Sequence, residues 1–380
     1  SKDMFIQYLK EQTVNEYVKY KICLEDSNVE LDDFYTVTHL GKGKYGSVHL
    51  VHNTISLYAL KSVHLSLSRK DTYLARYLIS EKKILQSIDH PFIVKLVKTF
   101  KLGTMCFFLM EYINGRTLED TSLYRNNIPK IIKSTLFYGA SLFLALDYLH
   151  HKMICHRDIK PANIVVDDNG YMKLIDFGAA KSIKDFAYTL VGTPNCMAPE
   201  ILLGSGYSFP ADYWSVGMVL FYIVYGTFPY KNTINIMKLY KEIVSCDITY
   251  PDTVNAKVRE ISQFLQKLLK KDPIGRLCSF RKIQEEPLFE DFPWNDLITM
   301  KLNEEYIPYV KGKYSDKEKE NFLMNCSSKY ISLLMPRTNP TFNTIGFGNR
   351  SGYGCCLDNE DEEGEDNEED STYNYDACCS

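Results

Sequence analysis

The apolar residues of this chain change their spacing once, and that change restricts the fold more than any other feature. From Asp33 to about Phe108, short β-branched and aromatic runs alternate with turn residues. "FYTVTHLG", "SVHLVHN", "LYALKSVHL" and "MCFFLMEYI" read as strands. One helical stretch interrupts them, "YLARYLISEKKILQSI". From Ile128 to Leu288 the spacing is that of helices, broken by a strand pair around "NIVVDDNGYMKLIDFG" with Asp168-Asn169-Gly170 as its turn. The expected fold is α+β and bilobal. A small β-rich lobe with one helix (about 34–110) joins a larger helical lobe (about 116–290) near Glu111–Gly115. A helical extension is expected over 1–33, an aromatic-rich extension over 291–350 and an acidic, disordered tail over 351–380.

Charge and cysteine content narrow the class. The net charge of −4 hides an asymmetry, because residues 358–370, "DNEDEEGEDNEED", hold ten acids and no base. Without them 44 bases face 38 acids, so a mildly basic body carries a strongly acidic tail. Such a run reads as a solvated tail, with docking on a basic face of the body as the sharper alternative. The eleven cysteines show neither a CxxC pair nor zinc-ligand spacing, which fits reduced thiols in a cytosolic, cytoplasmic protein. The final "ACCS" has Ala377 where a prenylation box needs cysteine. The chain opens on Ser1 without a basic-then-apolar leader, compatible with a missing or processed upstream part. "YWSVGMVLFYIVYGTFPY" reads as a buried helix rather than a transmembrane segment, since its apolar core is short.

Against this frame one stretch stands out, "HLGKGKYGSVHLV" from His39, with glycines at 41, 43 and 46. It leads into a strand, not a helix, so it is no dinucleotide-binding turn, and it lacks the GK[ST] of a Walker loop. Strand, glycine turn and strand make a hairpin whose tip can cover phosphates; alone, it is equally a plain hairpin. Lys61, in the apolar strand "YALK", needs phosphate oxygens or a carboxylate to be buried there. Glu81, on the following helix, is the obvious carboxylate. In "ICHRDIKPANIVVDD", Asp158 can accept or orient a hydroxyl proton, Lys160 can neutralise a phosphoryl group, and Asn163 offers an oxygen to a metal. Asp176 in "LIDFGAAK" ends an apolar strand, where an acid suits Mg²⁺. Each is explicable as a structural residue alone; their joint order is specific.

This order resembles the signature set of eukaryotic protein kinases, over about Phe34 to Leu297. "GKGKYGSV", "YALK", "HRDIKPAN", "DFG", "GTPNCMAPE" and "DYWSVG" match in sequence. The resemblance implies that Leu40, Gly41, Lys42, Gly43, Lys44, Tyr45, Gly46, Ser47 and Val48 fold over ATP. Lys61 then holds the phosphates and pairs with Glu81. Asp158 serves as catalytic base with Lys160 beside it, and Asn163 and Asp176 hold Mg²⁺. Adenine is expected between Val48 and Ala59 above and Val165 below, with Met110 at the back and Glu111 and Ile113 in the linker. Lys160 and Thr193 are the serine/threonine forms, whereas Ala179 indicates no preference between those two acceptors.

Within the kinases the similarity is to the AGC group, especially the cyclic-GMP- and cyclic-AMP-dependent enzymes, on "SEKKILQSIDHPFIVKL" and "DFAYTLVGTP". "FPWNDLITMKLNEEYIPYVKG" resembles the start of a tail that wraps back over the small lobe. The resemblance implies an activating phosphothreonine at Thr189, received by Arg157 and Lys181, and a buried Glu200–Arg276 ion pair. It implies protein substrates and no nucleic acid, with any cyclic-nucleotide-binding module upstream of Ser1 or on another chain. Departures are Tyr77 in place of a helix histidine, and Thr117, Ala162 and Tyr222 where basophilic members carry acids. Weakened selection of arginine-rich peptides follows. "FNTIGFG" is a poor match to the terminal hydrophobic motif. The rivals are a pseudokinase scaffold, against which Lys61, Asp158 and Asp176 speak, and a small-molecule kinase, against which "GTPNCMAPE" speaks.

Overall fold

A computed structural model of the chain describes residues 29–42, 46–65, 69–120, 127–183, 186–230, 235–308, 312–324 and 329–330. Of the expected helical extension over 1–33 only residues 29–33 are described, with one 3-10 turn at Leu31–Asp33; residues 1–28, the glycine-loop tip Gly43–Tyr45, "FNTIGFG" and residues 351–380 lie outside the described residues.

Five antiparallel strands make the small lobe: β1 (Tyr35–Lys42), β2 (Gly46–His52), β3 (Leu57–His64), β4 (Leu96–Leu102) and β5 (Met105–Glu111). Their order is β1-β2-β3-β5-β4. Alternation sorts the side chains of β3 and β5 onto two faces. Val63, Phe108 and Met110 face helix α1 (Arg69–Ser87) and share a buried cluster with its Leu78, Ile84 and Leu85 and with Ile88 just after it. Tyr58, Leu60, Phe107 and Leu109 face the other way and pack with Val29, Leu31, Phe34 and Tyr330. Lys61 falls on the helix side, because Ala59, Lys61 and Val63 share one parity. Strand β4 was not anticipated from sequence. It is an edge strand carrying Lys98 and Lys101, the usual protection of an edge, and this dilutes its apolar signal. Helix α1 also starts four residues earlier than the apolar spacing suggested.

The large lobe follows. A three-stranded sheet β6-β8-β9 comprises β6 (Gly115–Thr117), β8 (Ile164–Asp167) and β9 (Met172–Leu174). A two-stranded pair joins β7 (Ile154–Cys155) to β10 (Lys181–Ser182). The helices are α2 (Ile128–His151), α3 (Pro199–Leu203), α4 (Pro210–Tyr225), α5 (Ile236–Ser245), α6 (Ala256–Leu268), α7 (Phe280–Gln284), α8 (Trp294–Ile298) and α9 (Asp316–Met324). Asn127 caps α2 by accepting from the Lys130 amide, with proline in the first turn. Helix α4 is buried almost all round, which explains its continuous apolar sequence. Among the described residues no helix is long and apolar enough to cross a membrane.

The segment after α8 returns across both lobes. The amide of Asn114 in the linker donates to the Tyr314 carbonyl at 2.8 Å and to Asp168 Oδ2 at 2.7 Å. Gly170 sits at φ +86° with the Pro308 carbonyl where a Cβ would stand, so the β8–β9 turn and the returning chain require glycine here. Lys329 bridges Tyr35, the Tyr330 amide donates to the Phe34 carbonyl at 2.8 Å, and the Tyr330 ring is buried over Phe107 and His49.

Candidate active site

The walls of the site are set by the strand pairings. Val48 pairs with Lys61 and Ala59 with Met110, which places the two apolar residues expected above adenine on neighbouring strands. Val165 lies on β8, opposite Lys173 of β9. Leu40, Val48, Ala59, Ile113 and Val165 are only half-buried, whereas Met110 is buried. Partly open apolar side chains on two facing sheets are what a flat aromatic ligand needs. The glycines of the first hairpin differ in their purpose. A Cβ on Gly46 would stand 1.9 Å from the Ser62 carbonyl, so Gly46 serves the close approach of β2 to β3. Gly41 has nothing within 4 Å of such a Cβ, so no neighbouring atom demands glycine there.

Lys61 reaches Glu81 Oε1 at 2.7 Å and Asp176 Oδ1 at 3.6 Å. Burial alone would lower its pKa; the two carboxylates outweigh burial and hold it above the ordinary lysine value. Burial pushes the Glu81 carboxyl up against the pull of Lys61. Burial also pushes Asp176 up, but Lys61, the Gly178 amide at 3.1 Å and more distant cations together bring it below the usual carboxylate value. An ammonium between an acid of α1 and an acid after β9 thus joins the two lobes.

Asp158 is held from three sides. The Thr193 hydroxyl donates to its Oδ1 at 2.7 Å, the Asn163 amide donates to its Oδ2 at 3.1 Å, and Lys160 Nζ lies 2.9 Å from Oδ2. Lys160 also donates to the Thr193 hydroxyl at 2.8 Å. Asn163 donates through its nitrogen to the Asp158 carbonyl as well, at 2.9 Å, which turns its amide oxygen the other way. An amide oxygen and a carboxylate are the donor types a hard divalent cation takes.

The loop bearing Asp158 is fixed from below by Asp212, a residue sequence reasoning did not single out. Its fully buried carboxylate accepts from the amides of His156 at 2.9 Å and Arg157 at 2.8 Å, and pairs with His150 Nε2 at 2.9 Å. Burial raises its pKa, but the His150 hydrogen bond and the surrounding charges bring it below the ordinary value. The available signal was a lone acid in the apolar run of α4, which must find donors to be buried. These bonds hold Arg157 at φ +68°, a turn costly for a non-glycine residue.

Arg157 then points to Thr189. Its Nη1 donates to the Thr189 hydroxyl at 2.8 Å and to the Tyr207 hydroxyl at 3.1 Å, and its Nε donates to the Ala179 carbonyl. Tyr207, also missed from sequence, donates to the Thr189 carbonyl at 2.9 Å. Lys181 stands on β10, paired with Cys155. Glu200 and Arg276 meet in a bidentate pair at 2.6 and 2.9 Å. Of the three positions that replace acids, Thr117 donates to Asp120 at 2.8 Å and Tyr222 stacks on Phe228 at 5.1 Å. Ala162 lies in the short turn between Lys160 and Asn163. Tyr77 is exposed on α1.

Comparison with known proteins agrees with this geometry. The protein kinase domain family matches residues 34–289. The cGMP-dependent protein kinase of Eimeria tenella is 35% identical over 334 residues, covering 85% of this chain and 32% of that protein. The cAMP-dependent protein kinase type 3 of Saccharomyces cerevisiae is 31% identical, over 80% of this chain and 78% of that protein. A RAC family serine/threonine-protein kinase homolog of Dictyostelium discoideum is 31% identical, over 76% and 65%. The chain spans about a third of the length of the cGMP-dependent relatives it matches. With a matching family over two-thirds of its length and the motif residues on two facing lobes, the chain belongs to the protein kinase family, in the AGC serine/threonine group that includes its cyclic-nucleotide-dependent relatives.

Proposed function

We propose that the chain transfers the γ-phosphoryl group of Mg-ATP to serine and threonine hydroxyls of protein substrates. The observation that carries this reading is the Lys61 ammonium held between Glu81 and Asp176, with Asp158 caged by Thr193, Asn163 and Lys160. Bound Mg-ATP supplies the phosphoryl group, its metal offsetting phosphate charge. The chain's own residues do the rest. Lys61 draws the phosphates into place, and Asn163 and Asp176 hold the cation. Asp158 accepts the hydroxyl proton or orients the hydroxyl, and Lys160 balances charge at the transferring group. Thr193 positions Asp158 and ties it to the segment that receives the acceptor peptide.

Thr189 is the proposed switch. Its hydroxyl already touches Arg157 and Tyr207. A phosphate there would turn one neutral hydrogen bond into charge-assisted ones, ordering the segment against the Asp158 loop. The missing acids at 117, 162 and 222 support weak selection of arginine-rich peptides, since the Tyr222–Phe228 stack offers an apolar face. The names of the relatives support a place in cyclic-nucleotide signalling, with the sensing module upstream or on another chain, and the free cysteines support a reducing, cytoplasmic setting.

A peptide-array assay with Mg-ATP tests this on the Thr189-phosphorylated protein and on Thr189→Ala. Phosphate is expected on serine or threonine, without arginine-rich sequences leading, and Thr189→Ala should lose most of the activity. Equal turnover by Thr189→Ala would remove the switch, and an arginine-rich best substrate would remove the specificity.

A further inference from the structure

Among the described residues Asp176 links the lobes at the phosphate end of the cleft, and a second carboxylate links them elsewhere. The other is Glu111, the last residue of β5. Its Oε1 accepts from the backbone amide of Lys95 at 2.8 Å and from Lys173 Nζ at 2.7 Å. The Glu111 amide in turn donates to the Lys95 carbonyl at 3.0 Å. The side chains of Lys173 and Glu111 are only 20% and 10% exposed, so water screens the pair little. Lys173 belongs to β9 of the large lobe and pairs with Val165, the residue expected beneath adenine. Glu111 belongs to the small lobe and pairs with Tyr58, next to the Ala59–Met110 pair expected above adenine. The ion pair therefore ties the floor of the cleft to its roof at the linker end. Neighbouring β9 backbone joins the same corner, since Leu174 donates to the Phe92 carbonyl and accepts from the Val94 amide, both at 2.9 Å. His90, also facing Lys173, is kept neutral: burial and the Lys173 charge push its pKa down to about 3.

We propose that Lys173 is a positioning residue for the nucleotide, fixing through Glu111 the separation of the two apolar walls that clasp the base. This rests on the kinase reading above. Lys173 lies outside the Asp158–Lys160–Thr193 network, so it acts on nucleotide affinity and not on the transfer step. Loss of a little-screened charged hydrogen bond that sets a binding geometry corresponds to about a tenfold change in affinity.

The test uses the full chain, with Lys173→Met, Lys173→Arg, Glu111→Gln and the Lys173→Met/Glu111→Gln double variant. Readouts are KM for ATP, kcat, KM for a peptide, and direct binding of Mg-ADP by calorimetry. Lys173→Met should raise the KM for ATP and weaken Mg-ADP binding by about tenfold, with kcat and the peptide KM within about twofold. Lys173→Arg should restore both, and the double variant should be no worse than the worse single one, because both remove one interaction. Should Lys173→Met fail to fold, Lys173→Gln replaces it, and a nucleotide affinity that is raised or unchanged there counts against the proposal. Unchanged nucleotide affinity in Lys173→Met, or a fall in kcat alone, overturns it while leaving the kinase reading intact. A wild-type chain that binds no Mg-nucleotide overturns both.

Discussion

Removing Arg276 should damage the large lobe more than neutralising its partner, and the structure gives the size of each effect. The Arg276 side chain is fully buried and that of Glu200 is 6% exposed. Besides its two bonds to Glu200, the guanidinium donates to the carbonyls of Lys270 at 2.9 Å, Pro210 at 2.9 Å and Lys271 at 3.2 Å, and lies 5.3 Å from the Trp214 ring. Arg276→Met leaves a buried carboxylate without its cation, a change that costs about 3–5 kcal/mol. Glu200→Gln keeps an acceptor oxygen and leaves the guanidinium its three carbonyls, so about 1–3 kcal/mol is expected. A domain of this size loses roughly 2–4 °C of Tm per kcal/mol, giving a fall of about 6–20 °C for Arg276→Met. Scanning calorimetry of the two single variants and of Arg276→Met/Glu200→Gln reads this out. The double variant should lose less than the sum of its single losses, because no unpaired charge remains. An Arg276→Met protein that melts within about 2 °C of wild type, or a Glu200→Gln protein that melts below Arg276→Met, would refute the reasoning.

Two further effects are expected. Asp167, in the β8–β9 turn, has its pKa raised by burial from 3.8 to about 6, against the amides of Tyr171 and Asn169. A raised carboxyl binds its proton more tightly in the folded state, so it weakens the fold near neutral pH and this weakening is relieved as pH falls through 6. Asp167→Asn keeps the acceptor for both amides; its Tm should exceed that of wild type near neutrality, the gap closing toward pH 3.8, and a pH-independent gap would contradict the assignment. Tyr330→Ala should strip the outer sheet face of a residue only 1% exposed, lowering small-lobe stability by about 3 kcal/mol. Hydrogen exchange in β1 and β2 would report it, and unchanged protection would show that the returning segment does not brace the sheet.

What was legible in the sequence was what short runs carry. The glycine hairpin, "YALK", "HRDIKPAN" and "DFG" each hold their chemistry within a few residues, so their order alone indicated two lobes around a phosphate site. Contacts made by distant segments left no such mark. Lys173 and Glu111 are 62 residues apart and Asn114 and Tyr314 are 200 apart, and each reads alone as an ordinary polar surface residue. Tyr330 reads as one aromatic among many until Phe34, Phe107 and His49 are seen to enclose it. Gly46 shows a motif position doing two jobs, since the close approach of β2 to β3 requires glycine there whatever lies beneath the hairpin. Asp212 was within reach, because a single acid in the apolar run of α4 implies buried donors, here the amides of His156 and Arg157.

The most direct test of the central claim is phosphate transfer by Asp158→Asn beside wild type, with nucleotide binding measured on the same samples. Wild type should label serine or threonine from Mg-ATP, while Asp158→Asn should bind Mg-ADP normally and transfer at least about a hundredfold more slowly. Equal transfer by the two proteins, or no transfer by the Thr189-phosphorylated wild type, would contradict the account.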